Sequence, residues 1–430
     1  MTDSERYLVI SADCHGGAAL LEYRDYLDAE FREDFDGWAA VYEPPYEDLK
    51  GEAGGRNWDS GRRMRELESD GIAAEVLFPN TVPPFFPTSS LGSHKAVENA
   101  EDLRRMWAGL RAHNRWLADF CADACGSRAG VFQVMLHDID MAVSEVRWAV
   151  EAGLRGGLLL PGAPPGSGLP PLYYGDYYGP LWSVCEELQV PVNCHSGGAA
   201  PRVGDRPEDH VLFMLELRWW DQRTLRHLIL GGVLESHPGL QVIFTEEGLG
   251  WIPQELKALD SFADSMSRIA TAQDELAYGA QVAGRLSLRP SDYWRRQCYA
   301  GASFMHPSET AIRDQIGVDK IMWGSDYPHT ESSFPYSEAA IRFGYAGVPG
   351  AQVEQMLSAN AARVYNFDLA RLSARARDIG PRHADVTAGL DPATLPPEAA
   401  KCPAFAGIVP GSGLERWADN RKAETRQAHS

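Results

Sequence analysis

Short, continuously apolar runs alternate along this chain with longer segments of helical periodicity, and this alternation constrains the fold most. The runs are YLVIS (7–11), AEVLF (74–78), GVFQVM (130–135), GGLLL (156–160), VPVNCH (190–195), QVIFTE (241–246), QCYA (297–300) and KIMWGSD (320–326). Continuous apolarity, in place of apolar–polar alternation, marks strands covered on both faces, as in a parallel sheet. Repeated strand–helix units mean an α/β protein, either an open doubly wound sheet or a closed barrel. No GxGxxG follows the first run and no GxxxxGK[ST] occurs, so the usual nucleotide signatures of open sheets are missing. The reading is a (β/α)8 TIM-type barrel, a fold that accommodates insertions within a chain of this length.

Two regions depart from the repeat. Residues 22–61 form a long insertion after the first strand, rich in aromatics, acids and glycine. Loops of that length after a barrel strand commonly shape or cover an active site. With this insertion the barrel takes residues 1–369. Residues 370–430 read as a partly irregular C-terminal extension, packed on the barrel or on a partner subunit, with a frayed charged tail at 415–430.

The net charge is −20, from 60 acidic and 40 basic side chains. Such a field repels nucleic acid and anionic membrane surfaces, so neither is expected as a partner. No apolar run approaches the roughly 18 residues that span a bilayer. Seven cysteines lie scattered without CxxC pairs, and the start, MTDSERYLVI, has no secretory pattern. The expectation is a reduced, cytoplasmic protein acting on a small molecule.

In a parallel barrel, functional side chains gather at the carboxyl ends of the strands. Here those ends read Asp13-Cys14-His15 on strand one, His195 on strand five, Glu246-Glu247 on strand six, and Asp326 with His329 on strand eight. With a period of two, Asp13 and His15 point one way, and Cys14 points towards the helix layer, as does Cys194. Two imidazoles and two carboxylates, Asp13, His15, His195 and Asp326, make a mixed N/O set suited to one divalent ion, Zn2+ or Mn2+. His306, after strand seven, reads as structural.

The stretches ISADCHGG, VNCHSGG, GGVLESHPGLQVIFTEEGLGWIP, MWGSDYPHTESSFPYS and SANAARVYNFD occur in this order over residues 7–369. Together they resemble the amidohydrolase-related metal-dependent enzymes, the branch that contains aminocarboxymuconate semialdehyde decarboxylase and the resorcylate-type decarboxylases. The resemblance implies a (β/α)8 barrel, a homodimer or larger oligomer, and one metal on Asp13, His15, His195 and Asp326. It also implies a proton-transfer role for Asp326. Two positions depart from the pattern. Asp13 stands where many relatives have histidine or glutamate, and Glu246 stands where the decarboxylases carry an acid–base histidine.

The leading expectation is a hydrolase that uses metal-activated water on a carbonyl-type centre, with Glu246 or Asp326 managing the proton and His329 nearby. Arg56, in the long insertion, is the candidate clamp for a substrate carboxylate. The alternative is non-oxidative decarboxylation of an aromatic or unsaturated acid. A third reading is a catalytically silent barrel used for binding.

Overall fold

The computed structural model describes residues 5–44, 47–86, 97, 99–124, 126–201, 203–204, 206–269 and 275–406. Eight parallel strands follow one another in chain order around one sheet. They are β1 (Ile10–Gly16), β2 (Ala74–Pro79), β3 (Arg128–Gln133), β4 (Gly157–Leu159), β5 (Val192–His195), β6 (Val242–Thr245), β7 (Cys298–Ser303) and β8 (Ile321–Gly324). The two ends of the sheet meet just beyond β8. There the His15 N–H donates to the Tyr327 carbonyl at 2.6 Å, and the Asp326 N–H donates to the Asp13 carbonyl at 2.8 Å. The sequence reading of the fold, a (β/α)8 barrel, is thus the observed one.

Each apolar run became a strand, with instructive shifts. β1 runs to Gly16 and β7 to Ser303, beyond the apolar stretches expected at 7–11 and 297–300. The apolar signal stops at the first polar residue, whereas these strands carry buried polar groups to their ends. Inside the barrel lie Ile10, Ala12, Val76, Phe78, Val131, Leu159, Ile243 and Met322. Their strand neighbours Val9, Leu77, Phe132, Leu158, Phe244 and Trp323 join the larger cluster beneath the helices. Both faces are covered, which is why the runs are continuously apolar.

The outer layer includes α1 (Ser60–Ser69), α2 (Ala100–Asp123), α3 (Ile139–Glu151), α4 (Gly175–Glu187), α5 (Pro207–Leu230), α6 (Trp251–Met266), α7 (Pro290–Gln297) and α8 (Ser337–Gly344). Their starts follow local chemistry. Asp59, Asn99 and Asp138 cap α1, α2 and α3 by accepting backbone N–H groups, and proline opens α5 and α7. The insertion folds into short helices, among them Arg32–Ala39, whose Phe35 and Trp38 pack with Phe31 against Phe85 from the loop after β2. Those aromatics therefore extend the large cluster beneath the helices. Residues 87–96 of that loop lie outside the described residues.

Of the extension, Ala399, Ala400, Cys402, Ala404 and Phe405 bury themselves against Phe304, just after β7, and Ala340 of α8. The charged tail at 415–430 lies outside the described residues. Among the described residues no helix is long and apolar enough to cross a membrane, and the six described cysteines are free and buried.

Asp70, just past α1, is buried and accepts the Ser337 N–H at 3.0 Å, while its other oxygen finds no partner. Burial pushes its pKa up to about 7. The folded state therefore holds this proton more tightly than the unfolded chain does, and the group lowers stability progressively from about pH 4 to pH 7. Asp70→Asn keeps the acceptor and removes the charge. It is expected to raise the melting temperature more at pH 8 than at pH 5, a difference read by calorimetry at the two pH values.

Candidate metal centre

The site begins with a break in the alternation of β1. Ile10 and Ala12 face the barrel interior, so strict alternation would turn Cys14 inward. The pairing with β2 instead slips between Ser11 and Cys14. One extra residue reverses the parity, sending Asp13 and His15 inward and Cys14 into the outer cluster. The Ser11 hydroxyl pins this bulge: it donates to the Asp13 carbonyl at 2.8 Å, accepts the Ser325 N–H at 2.9 Å and lies 2.9 Å from the Ser325 hydroxyl. Gly324 lets β8 come close, since a Cβ there would stand 2.6 Å from the Asp13 Cβ.

Four of the expected residues converge. Asp13, His15 and Asp326 are fully buried, and His195 is 1 % exposed. His15 Nδ1 lies 3.2 Å from the Pro79 carbonyl and His195 Nδ1 lies 3.1 Å from that of Ser196. Each contact occupies Nδ1 and turns Nε2 towards the interior, the orientation of a metal-ligating ring. His15 Nε2 stands 3.3 Å from Asp13 Oδ1 and 3.2 Å from Asp326 Oδ1, and His195 Nε2 stands 3.3 Å from the same Asp13 oxygen. Nitrogen and carboxylate ligand atoms thus converge on one buried space. His15 Nε2 and Asp326 Oδ2 have no hydrogen-bond partner. A buried set of this kind is costly without a cation between its members, so the residues fit a divalent metal. Ligand atoms of Asp13, His15 and His195 lie within 4.8 Å of one another, as do those of His15, Asp326 and His329.

Neighbouring groups set the charges. Burial pushes the Asp13 carboxyl up, but His15 and His195 outweigh it and hold it below the ordinary carboxylate range. His329 Nδ1 lies 2.8 Å from Asp326 Oδ1 and its Nε2 lies 3.2 Å from Asn80 Oδ1. Burial opposes a charge on this ring, yet Asp326 and the nearby acids raise its pKa well above the usual histidine value. Glu246 sits 3.8 Å from His195 Nδ1, and burial, then Asp326, lifts its carboxyl to about 8. Its neighbour Glu247 turns away, into the electrostatic reach of Asp221 on α5.

Arg56 has a resident partner: its Nε donates to Glu66 at 2.9 Å and its guanidinium lies 5.5 Å from the Phe334 ring centroid. His306 caps the helical turn Pro307–Thr310, the structural role expected of it. Sequence reasoning missed Ser303, whose hydroxyl donates to Asp13 Oδ2, and Ser11, Asn80 and Gly324. Extending the weak seventh run to its polar end would have found Ser303; a bulge leaves no such signal.

Three residues at adjacent strand ends, Glu246, Phe304 and Asp326, hold left-handed backbone with φ near +60° (60°, 60° and 61°). That region costs a non-glycine residue on the order of 1 kcal/mol or more, and such strain gathers at functional sites.

A barrel with a buried carboxylate–imidazole cluster at the carboxyl ends of its strands has the architecture of metal-dependent barrel enzymes. Residues 13–367 match the family model described as Amidohydrolase, and the chain belongs to that family as an enzyme of the amidohydrolase superfamily. Solved structures share the fold. An amidohydrolase from Mycobacterium avium subsp. paratuberculosis K-10 is 20% identical with a TM-score of 0.62, over 84% of this chain and 100% of that one. The 5-carboxyvanillate decarboxylase of Novosphingobium aromaticivorans DSM 12444, complexed with manganese and 4-hydroxy-3-methoxy-5-nitrobenzoic acid, is 18% identical with a TM-score of 0.60, over 85% and 100%. The 2,6-dihydroxybenzoate decarboxylase from Rhizobium is 17% identical with a TM-score of 0.55, over 84% and 99%. The comparison with curated proteins gives no match.

Two outcomes are expected of this geometry. Elemental mass spectrometry of purified protein should find about one divalent ion per chain, consistent with a single catalytic site. That ion should be lost in His195→Ala and Asp326→Ala and depleted in Gly324→Ala. Separately, Glu246→Gly relieves the left-handed strain and removes a partly buried carboxyl. It should gain on the order of 1 kcal/mol of stability in denaturant melts while losing turnover.

Proposed function

We propose that this enzyme is a non-oxidative carboxy-lyase for a small aromatic or unsaturated carboxylic acid. One divalent ion, Mn2+ or Zn2+, would be held by Asp13, His15, His195 and Asp326. Such an ion supplies Lewis acidity, drawing electron density from a substrate oxygen.

The observation that carries the reading is the pairing of His329 with Asp326 at 2.8 Å beside the donor cluster. It keeps a protonated imidazole at the site. Decarboxylation needs a standing acid: the bond to the carboxyl carbon breaks, its electron pair stays on the substrate carbon, and CO2 leaves. A proton must then form the new C–H bond, and His329 delivers it while Asp326 steadies the ring in both protonation states. Glu246, whose carboxyl is pushed up to about 8, stays protonated at neutral pH and donates a hydrogen bond to the departing carboxylate. The shared fold of two decarboxylases of aromatic acids adds support.

Hydrolysis is the second reading, and the position of Glu246 favours it. Once ionised, above about pH 8, the carboxylate there, 3.8 Å from His195 Nδ1, is placed to take a proton from an attacking water.

Product chemistry separates the two. Protein supplied with Mn2+ and a panel of hydroxybenzoates should release CO2 and place solvent deuterium on the vacated carbon, without oxygen from labelled water in the product. His329→Gln should keep the metal and lower kcat by roughly 10²-fold or more. Labelled oxygen in the product of an amide or ester, with no CO2 from any acid, would favour hydrolysis.

A further inference from the structure

The insertion after β1 reaches the reaction centre through two side-chain amides. Its helix Gly51–Trp58 docks on the strand ends. Asn57 there is fully buried, its carbonyl accepts the Gly17 N–H at 3.4 Å, and Arg63 donates to the Arg56 carbonyl at 3.0 Å. Asn57 Nδ2 donates to two backbone carbonyls of the insertion, those of Asp48 and Gly54, each at 3.1 Å. On its other side Asn57 Oδ1 accepts from Nδ2 of Asn80, just past β2, at 2.7 Å. Asn80 Nδ2 also donates to Asp48 Oδ2 at 3.3 Å, and Asn80 Oδ1 lies 3.2 Å from His329 Nε2.

These contacts allow one polarity only. A backbone carbonyl can only accept, so the Asn57 atom between two of them must be its NH2 group, and both protons are used there. What Asn57 offers to Asn80 is therefore an acceptor. Asn80 must answer with its own NH2, whose second proton goes to the Asp48 carboxylate. The one Asn80 atom left for the imidazole is an oxygen, which again accepts. His329 must then supply an N–H at Nε2, whatever occupies Nδ1. Turning either amide over would set oxygen against oxygen inside a buried network, where unsatisfied polar groups cost most. Asp48 holds both amides, Asn57 through its backbone and Asn80 through its carboxylate, which stands 3.9 Å from His329 Nε2.

We propose that Asn57 and Asn80 are positioning residues: the insertion fixes the polarity of their amides, and they aim the His329 Nε2–H while Asp326 keeps Nδ1. The hydrogen-bond chain stands by itself, and its effect on turnover rests on the carboxy-lyase reading above. Nitrogen-15 NMR of protein with ring-labelled histidine, supplied with diamagnetic Zn2+, reads the chain directly. His329→Gln identifies the His329 signals by their loss. Wild type should carry a proton on His329 Nε2, protected from exchange with solvent. Asn80→Leu should abolish that protection, and Asn57→Ala, which frees Asn80 to turn over, should weaken it. Circular dichroism checks that both variants are folded. With an acid that the enzyme turns over, Asn80→Leu should lower kcat about tenfold or more while KM and metal content change little, the mark of misplaced chemistry and not of lost binding. A bare Nε2 in wild type, protection undiminished in Asn80→Leu, or a fall in kcat matched by loss of metal would each overturn the proposal. If no acid is turned over, the NMR result still decides for or against the chain, and only the reaction is refuted.

Discussion

A parity change of one residue in β1 makes the rest of the site possible. Were the strand regular, Cys14 would face the interior, while Asp13 and His15 would face the helices and bury two polar groups against hydrocarbon. The slip between Ser11 and Cys14 exchanges these sides. It holds because a single hydroxyl, that of Ser11, contacts the Asp13 carbonyl and the Ser325 backbone at once. His15 is braced from behind as well: Arg63 donates to its carbonyl at 2.6 Å while forking onto Glu75 of β2. A buried pair of this kind adds little net stability, but loss of either partner strands a charge. Its value here is to fix the backbone from which an imidazole projects.

The same end of the barrel concentrates unfavourable terms. Left-handed backbone recurs at Glu246, Phe304 and Asp326, and unpartnered oxygens recur at Asp326 and Glu247. The opposite end also holds left-handed residues, Gln189 and Asn366, but it is closed by packing. There the helix Asn360–Tyr365 fills the barrel, and the Tyr365 hydroxyl donates to Asn193 at 2.8 Å. Stability is supplied at one end of the strands and spent on chemistry at the other, the usual division of labour in this architecture.

Much of this was legible in the chain. The continuous apolarity of the eight runs reported strands buried on both faces, and polar groups at the ends of four runs located the site. Asp13, His15, His195 and Asp326 came together as the residue types suggested. The rest was illegible for definite reasons. Apolar periodicity ends where a strand turns polar, so Ser303 fell outside the expected seventh strand although it holds Asp13. A bulge is a matter of register between two strands and has no residue signature of its own. The same holds for Arg56, whose pairing with Glu66 ten positions away depends on how the insertion folds back.

The closure of the barrel between its first strand and the segment after its last has a temporal consequence. Asp13 and His15 leave the ribosome more than three hundred residues ahead of Asp326 and of Tyr327, the backbone partner of His15. Until then the edge of β1 has no neighbour on one side, and the growing chain carries a half-built sheet with an open margin. The donor cluster cannot exist on any nascent fragment that stops short of β8. Closure of the sheet and assembly of the donor cluster are therefore a single event, and a fragment that stops short of β8 holds neither.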